Sequence, residues 1–190
     1  DGATIGTVTV TGLTGNIKIQ NLADGTLATT GIVSTGGGNI DLLSFGALSL
    51  GADVSSVGGA ITLAADTDSS DGTGAQKFEQ TAGTITSGGG TVGITVATAA
   101  GTGTGGAELR AINSGAGTLT VTSHRGSVIE DAPGVSLLTS SNTIDLRAGF
   151  TTKGATSVGT LADAINTQSS GSTINATAGT GGIFIDEADG

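Results

Sequence analysis

Carboxylates are the side chains of this sequence whose types and spacing could do chemistry, and the densest group is Asp66, Asp68 and Asp71. These residues stand in the run DTDSSDG at 66–72, and an oxygen-rich turning segment is what a hard cation such as Ca²⁺ requires. The run has one residue too many for the EF-hand spacing and lacks a Glu at the twelfth position. We therefore interpret this segment as a solvated acidic loop, with a weak Ca²⁺ site at Asp66, Asp68 and Asp71 as the alternative and the one metal candidate.

Two further acidic clusters, Glu130/Asp131 and Asp186/Glu187/Asp189, follow apolar segments. Paired carboxylates can perform general acid–base chemistry, as in glycoside hydrolysis. However, the chain has no Trp or Tyr to stack on a sugar ring. The clusters also occupy what look like equivalent positions of a repeat, which favours charges that keep strand edges soluble. We therefore predict no enzymatic activity, no catalytic residues and no organic cofactor.

Composition narrows the fold further. The 190 residues include 36 Gly, four aromatics (all Phe) and no Cys, and the net charge is −10. The acidic balance argues against nucleic-acid binding, and no apolar run is long enough to insert into a membrane. The single histidine, His124, lacks partners for a His-rich metal site and is interpreted as structural. Aliphatic, Thr and Gly residues dominate instead, which predicts short strands around a thin core.

A short unit recurs along the chain: Gly or a small polar residue, then apolar-x-apolar. The first apolar residues of the units are Ile17, Ile40, Ile61, Ile94, Leu119, Ile144 and Ile174. Their mean spacing is about 26 residues, within the range typical of solenoids. Two longer matches support the repeat, since residues 33–40 resemble 85–92 and residues 126–132 resemble 182–188. The offsets of 52 and 56 residues are each close to two units.

Within the units, apolar residues alternate with Thr, Ser, Asp or Lys, and this period of two indicates strands with one aliphatic face. Stacked units of this size predict an all-β chain, residues 1–190, folded as one parallel β-helix of about seven coils. The two longest steps between units predict looped-out insertions at about 66–80 and 151–167. Inside the second insertion, the pattern of Leu161–Asn166 predicts a single helical turn.

Several of these segments are similar to the repeats of large secreted bacterial β-helix proteins, the filamentous-haemagglutinin-like exoproteins and adhesins. The similar segments are the Gly-Asn-Ile-x-Leu units, the STGGGNI turn at 34–40 and the GGIFIDEADG ending at 181–190. The resemblance covers nearly the whole chain. It implies a right-handed parallel β-helix, export to the cell surface, and adhesive or scaffolding work without catalysis.

The functional expectation is a structural module of an extracellular bacterial fibre that assembles by end-to-end stacking of its coils. An uncapped solenoid leaves unpaired backbone groups at each end, and these recruit another strand edge. The segment after Gly134 resembles Gly2–Ile5, which suggests one period of a longer array or a subunit that stacks head to tail. The alternative is an adhesin that binds glycans or surfaces through the two insertions. Thr pairs that could bind ice do not recur on every coil.

Overall fold

The computed structural model describes residues 2–69, 76–134, 137–152, 154–169 and 171–188. Across these residues the chain forms 23 short strands and no helix. Each interior strand pairs in parallel with strands of the coils before and after it, and each terminal strand pairs with one, which builds three sheets, named A, B and C here. The first seven coils each contribute one strand to A, then to B, then to C, and the eighth contributes described strands to A and B. The predicted all-β fold and parallel β-helix are confirmed. None of the described residues belongs to a helix that could span a lipid bilayer.

The strands are numbered in chain order, so that each sheet takes every third one. Sheet A contains β1 (Ala3–Ile5), β4 (Leu27–Thr29), β7 (Leu48–Leu50), β10 (Phe78–Gln80), β13 (Ala107–Leu109), β16 (Val128–Glu130), β19 (Ser157–Val158) and β22 (Gly182–Ile183). Sheet B contains β2 (Val8–Val10), β5 (Val33–Thr35), β8 (Val54–Ser56), β11 (Thr84–Thr86), β14 (Ala111–Asn113), β17 (Leu137–Thr139), β20 (Ile165–Gln168) and β23 (Ile185–Glu187). Sheet C contains β3 (Ile17–Asn21), β6 (Ile40–Ser44), β9 (Ile61–Ala65), β12 (Val92–Val96), β15 (Leu119–Ser123), β18 (Thr143–Ala148) and β21 (Thr173–Thr177).

The core is a set of aliphatic columns that run along the inside of the sheets. In sheet C one column consists of Ile17, Ile40, Ile61, Val92, Leu119, Ile144 and Ile174, each paired with the next. The five members from Ile40 to Ile144 are at most 1% exposed. Each fully buried aliphatic side chain contributes about 1.5–3 kcal/mol before conformational entropy is subtracted. Because equivalent residues stack directly, the small branched side chains of this sequence suit the narrow tube.

The sequence units match this column with one shift. Ile94, expected to be the first apolar residue of its unit, pairs with Leu63 instead, and Val92 occupies the column of Ile61. The shift is two residues, so both side chains still face the core. The match between residues 33–40 and 85–92 is confirmed, because Val33 and Ile85 both pair with Val54.

The second long match is wrong by one residue. Val128 pairs with Val158, and Val158 pairs with Ile183, so Val128 and Ile183 share a column. The match between residues 126–132 and 182–188 instead equates Val128 with Phe184. A slip of one residue moves side chains to the opposite face of a sheet. As a result Glu130 lies in sheet A while Asp186 and Glu187 lie in sheet B, so the two acidic clusters are not equivalent. The segments compared after Gly134 and after Gly2 also differ, since the next described strand after Gly134 is β17 of sheet B, whereas Gly2 precedes β1 of sheet A. Gly190 lies outside the described residues.

Buried hydroxyls hold the corner between sheets B and C. Ser56 Oγ donates to Gly38 O (2.8 Å) and accepts from Gly59 N–H (2.9 Å). Equivalent residues of other coils bond in similar ways, namely Thr35, Ser87, Ser114 and Ser140. Buried backbone groups at a tight corner need such partners. This requirement explains why Ser or Thr precedes the glycine turns that the sequence repeats.

Both predicted insertions include residues that belong to strands. The segment 66–80 ends in β10, whose Phe78 is fully buried, and its residues 70–75 lie outside the described residues. The segment 151–167 contains β19 and the start of β20. A further long corner, residues 97–106, was not anticipated, because strands of three residues show too little alternation to mark their ends.

The expected helical turn at Leu161–Asn166 is wrong. Thr160 N–H donates to Asp163 O (2.8 Å) and Asp163 N–H donates to Thr160 O (3.1 Å), which closes a tight reverse turn. Strand β20 then begins at Ile165. The apolar residues of this segment serve different purposes, since Ile165 is buried in the core whereas Leu161 is 87% exposed.

Adjacent residues of β12 offer a direct test of the inner face. Ile94 is fully buried, whereas its neighbour Thr95 faces outward. We expect Ile94→Asp to destabilise the protein by roughly 4 kcal/mol or more, because a carboxylate would be buried without a partner. Thr95→Asp should change stability by less than about 1 kcal/mol. Guanidinium unfolding followed by far-UV circular dichroism measures both; equal losses would show that the inner face is wrongly assigned.

Candidate functional site

The structure describes two of the three aspartates of the predicted Ca²⁺ site, and these two have different environments. Asp66 is fully buried and has a positive φ of 53°, Asp68 is exposed, and Asp71 lies outside the described residues. The Asp66 carboxylate sits against Gly103, where an added Cβ would lie 1.5 Å from Oδ2. Gly103 is therefore needed for loop 97–106 to pack on the start of the first insertion. The Ca²⁺ site stays a prediction from sequence.

Asp66 has a structural partner in Gln76. With its amide nitrogen facing the carboxylate, Gln76 donates to Asp66 Oδ1 at 3.0 Å and to Phe45 O at 2.9 Å. Ser69 ties the same two loops together, since its Oγ accepts from Thr98 N–H and its carbonyl accepts from Thr102 N–H. These contacts give the aspartate-rich segment a role in joining consecutive corners between sheets C and A.

The single group of three close carboxylates in the part of the chain that the structure describes lies elsewhere, on sheet A. Glu79, Glu108 and Asp131 bring oxygens within 4.8 Å of one another. Two cations pair with these three carboxylates: Lys77 Nζ lies 3.2 Å from Glu79 and 2.7 Å from Glu108, and Arg110 Nη1 lies 2.9 Å from Asp131. Burial lowers the pKa of Lys77, but the two glutamates more than reverse this, so the pKa is raised. The cluster is an ion-pair network between coils.

Glu130 does not stand beside Asp131 on the surface, as adjacent sequence positions suggested. It occupies an inward position of sheet A, only 6% exposed, and accepts a hydrogen bond from Asn166 Nδ2 (3.0 Å). Its neighbour Asp131 follows the strand and binds Arg110 outside the tube. The two carboxylates thus point to opposite sides of the sheet. They therefore do not face each other in the paired arrangement that acid–base chemistry requires.

His124 lies at the corner between sheets C and A, in a surface group that combines an imidazole, a phenyl ring, a guanidinium and a carboxylate. Its ring meets the Phe150 ring edge-on at 5.9 Å between centroids, and its Nδ1 lies 2.8 Å from Thr151 Oγ1. The Arg147 guanidinium covers Phe150 at 5.1 Å and donates to Asp145 through Nε (3.0 Å) and Nη2. Sequence reasoning missed this group, because His124 follows β15 and meets the other members, on and after β18, only when consecutive coils stack.

The electrostatics of this corner follow from its contacts. Burial, and then the charge of Arg125, lowers the pKa of His124 below its ordinary value of 6.5. The hydrogen bonds to Asp145 raise the pKa of Arg147. Arg125 itself is held by two carbonyls of the preceding loop, Thr98 O (2.9 Å) and Ala99 O (3.2 Å). At neutral pH the corner therefore presents a neutral imidazole, two guanidinium groups and an exposed phenyl ring.

The two ends of the solenoid are its other chemically distinct surfaces. We call the edge formed by β1, β2 and β3 the head, and the edge formed by β22, β23 and β21 the tail. At the head, Ala3 N–H donates to Thr26 O and Ile5 O accepts from Thr30 N–H, both toward the second coil. Successive residues of a strand direct their backbone groups to opposite sides, so those of Thr4 point away from the protein.

Strand β2 has the same open edge. Val8 N–H donates to Ile32 O and Val10 O accepts from Gly36 N–H, which leaves the groups of Thr9 directed outward. At the tail, Phe184 N–H donates to Val158 O and Ala188 N–H to Thr167 O, toward the preceding coil. Among the described strands, none lies beyond either edge. Both ends therefore present backbone donors and acceptors of the kind that pair with a further strand.

Exposed apolar side chains and charge also distinguish the ends. Three of the four most exposed large apolar residues in the described part of the chain lie near them: Leu13 (82%) and Leu22 (67%) in the first coil, and Leu161 (87%) beside the last. The first coil, residues 1–26, contains Asp1, Lys18 and Asp24, whereas residues 171–190 contain Asp186, Glu187 and Asp189 and no cation. The tail is therefore the more acidic end.

No family model matches the chain, and neither a curated protein nor a solved structure matches it. The geometry of the ends and of the His124 corner must therefore carry the functional argument.

The lowered pKa of His124 predicts a pH-dependent stability. As the pH falls below about 6.5, the unfolded chain takes up a proton that the folded state resists, so His124 lowers the free energy of unfolding on acidification. His124→Asn keeps a polar atom near Thr151 but removes the titration. Between about pH 7.5 and about pH 5 we expect the variant to lose less stability than the wild type. A pH-independent difference in unfolding free energy, measured by circular dichroism, would contradict the assignment.

Proposed function

We propose that this protein is a structural module of an extracellular bacterial fibre, similar in kind to the filamentous-haemagglutinin-like exoproteins, and that it extends by head-to-tail stacking of its coils. One observation carries the proposal: sheets A and B run from one end to the other, and each ends in an open strand edge at both the head and the tail. The proposal assigns the protein no catalysis.

The polarity of the open edges favours head-to-tail contact. Inside the solenoid, an inward-facing residue such as Val33 directs its N–H to the next coil, where it donates to Asp53 O (3.0 Å). At the tail the open groups likewise belong to inward-facing residues, Ile183 and Ile185, by the alternation along β22 and β23. At the head they belong to outward-facing Thr4 and Thr9. A head placed on a tail thus repeats the pairing within the protein.

Charge opposes one alternative arrangement. Two tails in contact would bring the carboxylates of Asp186 and Glu187 of both copies together, and like charges disfavour such a contact. The net charge of −10 opposes side-by-side association of rods. Single filaments are therefore favoured over bundles.

The junction has two properties that limit its strength. Sheets A and B contain eight described strands each and sheet C contains seven, so a stack that continues A and B leaves sheet C with room for one more strand. Glu187 faces inward at the tail and accepts hydrogen bonds from Thr167 Oγ1 (2.8 Å) and Ser169 N–H (3.0 Å). In the stack it would meet Val8 of the next copy, and inward charges are known to weaken edge pairing. We expect reversible association.

Proline substitution tests the junction without altering side chains in the core. Thr4→Pro combined with Thr9→Pro removes two N–H groups that point away from the protein, so the fold should tolerate it while stacking is lost. Gln20→Pro makes the same change in sheet C, which has no partner strand in the stack, and should leave assembly intact. Electron microscopy and sedimentation of concentrated protein measure the outcome. Wild-type filaments should show an axial repeat of roughly 38 Å, eight strand spacings in sheet A.

Two further variants complete this test. Thr4→Ala with Thr9→Ala keeps both N–H groups and should assemble like the wild type. Glu187→Val should assemble at lower protein concentration, because it replaces the inward carboxylate. A wild-type protein that stays monomeric at millimolar concentration, or a Thr4→Pro/Thr9→Pro variant that assembles normally, would refute the proposed function.

Glycan recognition is a second candidate, favoured by Phe150. Its ring is 45% exposed and is held between Arg147 and His124 at the entrance to the second insertion. A fixed aromatic ring with adjacent polar groups is a surface on which a sugar ring can pack. If this function is present, Phe150→Ala should lower binding to an oligosaccharide array more than about tenfold, a loss of about 1.4 kcal/mol. Leu137→Ala, also an exposed apolar residue, is the control. No wild-type binding to any saccharide would exclude this candidate.

A further inference from the structure

A groove lies at the tail, beside the open edges of sheets A and B. In the seventh coil residues 159–164 separate β19 from β20, whereas in the last coil Phe184 alone separates β22 from β23. The difference in length leaves a groove of about 420 Å³ between the longer corner and the last two strands. Leu161, Ala162 and Ala164 line one side of it, and Ile183–Asp186 line the other.

The wall of the groove is fixed. The reciprocal backbone hydrogen bonds between Thr160 and Asp163 close the turn, and Thr160 Oγ1 donates to Asp163 O (3.3 Å). Asp163 Oδ1 also accepts from Gly134 N–H (3.2 Å), which ties the turn to the corner of the preceding coil. Leu161 stands at the tip of this braced turn with 87% of its surface exposed. When a partner covers an apolar side chain that is held in water in this way, the burial of its surface favours binding.

The head of a second copy has a corner that suits this groove. When β1 pairs with β22 and β2 with β23, the head residues between those strands, Gly6 and Thr7, come to lie beside Phe184. Gly6 has open space at the position of a Cβ, with no atom within 4 Å. The corner therefore offers a flat backbone surface on which the Leu161 side chain can pack.

The observations favour a second copy over a peptide or a small molecule. The groove adjoins two open strand edges at once, and the head carries edges of matching polarity at the same corner. The groove also includes Asp186, and a second tail would bring a like charge against it. Two parallel strands joined by a glycine corner are what the head supplies.

We propose that the turn at 159–164 is a docking hook, in which Leu161 seats on the Gly6–Thr7 corner of the next copy and fixes which corner of the head meets which corner of the tail. This inference rests on the proposed stacking and specifies the contact that aligns it. Strand pairing alone supplies attraction along each edge, while the hook supplies the rotational register between copies.

Two substitutions, one on each side of the contact, test the hook. Leu161→Asp places a charge at its tip, and Gly6→Arg fills its seat without any clash inside the monomer. Both should weaken self-association at least tenfold in sedimentation equilibrium. The matched controls are Val57→Asp, at a residue 74% exposed on the side of the rod, and Gly12→Arg, at a glycine of the same coil with equally open space. Both controls should stay within about twofold of the wild type, and circular dichroism verifies that all four variants fold.

The outcomes separate the hook from the stacking itself. Association unchanged by Leu161→Asp and Gly6→Arg, together with its loss in the Thr4→Pro/Thr9→Pro variant, would overturn the hook and leave the stacking in place. Equal weakening by the two control substitutions would also overturn it, because the effect would then not be specific to this corner. A monomeric wild type would overturn both.

Discussion

The hydrogen-bond ladder between successive coils is the interaction on which the rest of the structure depends. Each strand is only two to six residues long and would not persist alone, but its backbone groups pair with the coils on both sides. Because that pairing is parallel and in register, equivalent side chains stack in columns along the tube. The inner columns then need small aliphatic residues, and the corners need hydroxyls and glycines, since the backbone of one coil lies directly on the next.

The same stacking decides where chemistry is placed. Residues about one coil apart in sequence become neighbours, so Lys77 meets Glu108, and His124 meets Phe150 and Thr151. The flat faces of the sheets are filled with Thr, Ser and small residues, and the more varied groups collect at corners where the chain departs from the strands. Asp66 shows the cost of this arrangement, because its carboxylate is enclosed by the next corner and serves packing.

The ladder also explains why the ends differ from the sides. In interior coils the backbone groups of each strand pair with both neighbouring coils. At the head and the tail, the last described strand of each sheet has a partner strand on one side only. The protein places apolar side chains beside these two edges, but it sets the inward Glu187 at the tail. Attraction and restraint at the same edge fit the proposed rod that adds copies reversibly. In that proposal the polarity of the strand edges supplies the direction of stacking, and the braced turn with Leu161 supplies the rotational register.

The sequence by itself determined the fold class, the coil length and most of the inner column, because a period of two and recurring glycine turns depend on local chemistry that any coil repeats. It also placed Val33 and Ile85 in one column. It could not determine the register where strands shrink to two or three residues, which is why Val128 was aligned with Phe184 in place of Ile183 and Glu130 was assigned to the surface. Only the tertiary structure decided these positions, together with the buried state of Asp66, the His124–Phe150 contact and the groove at Leu161. Each of these depends on how far one coil is displaced against the next, and that displacement is set by packing between coils.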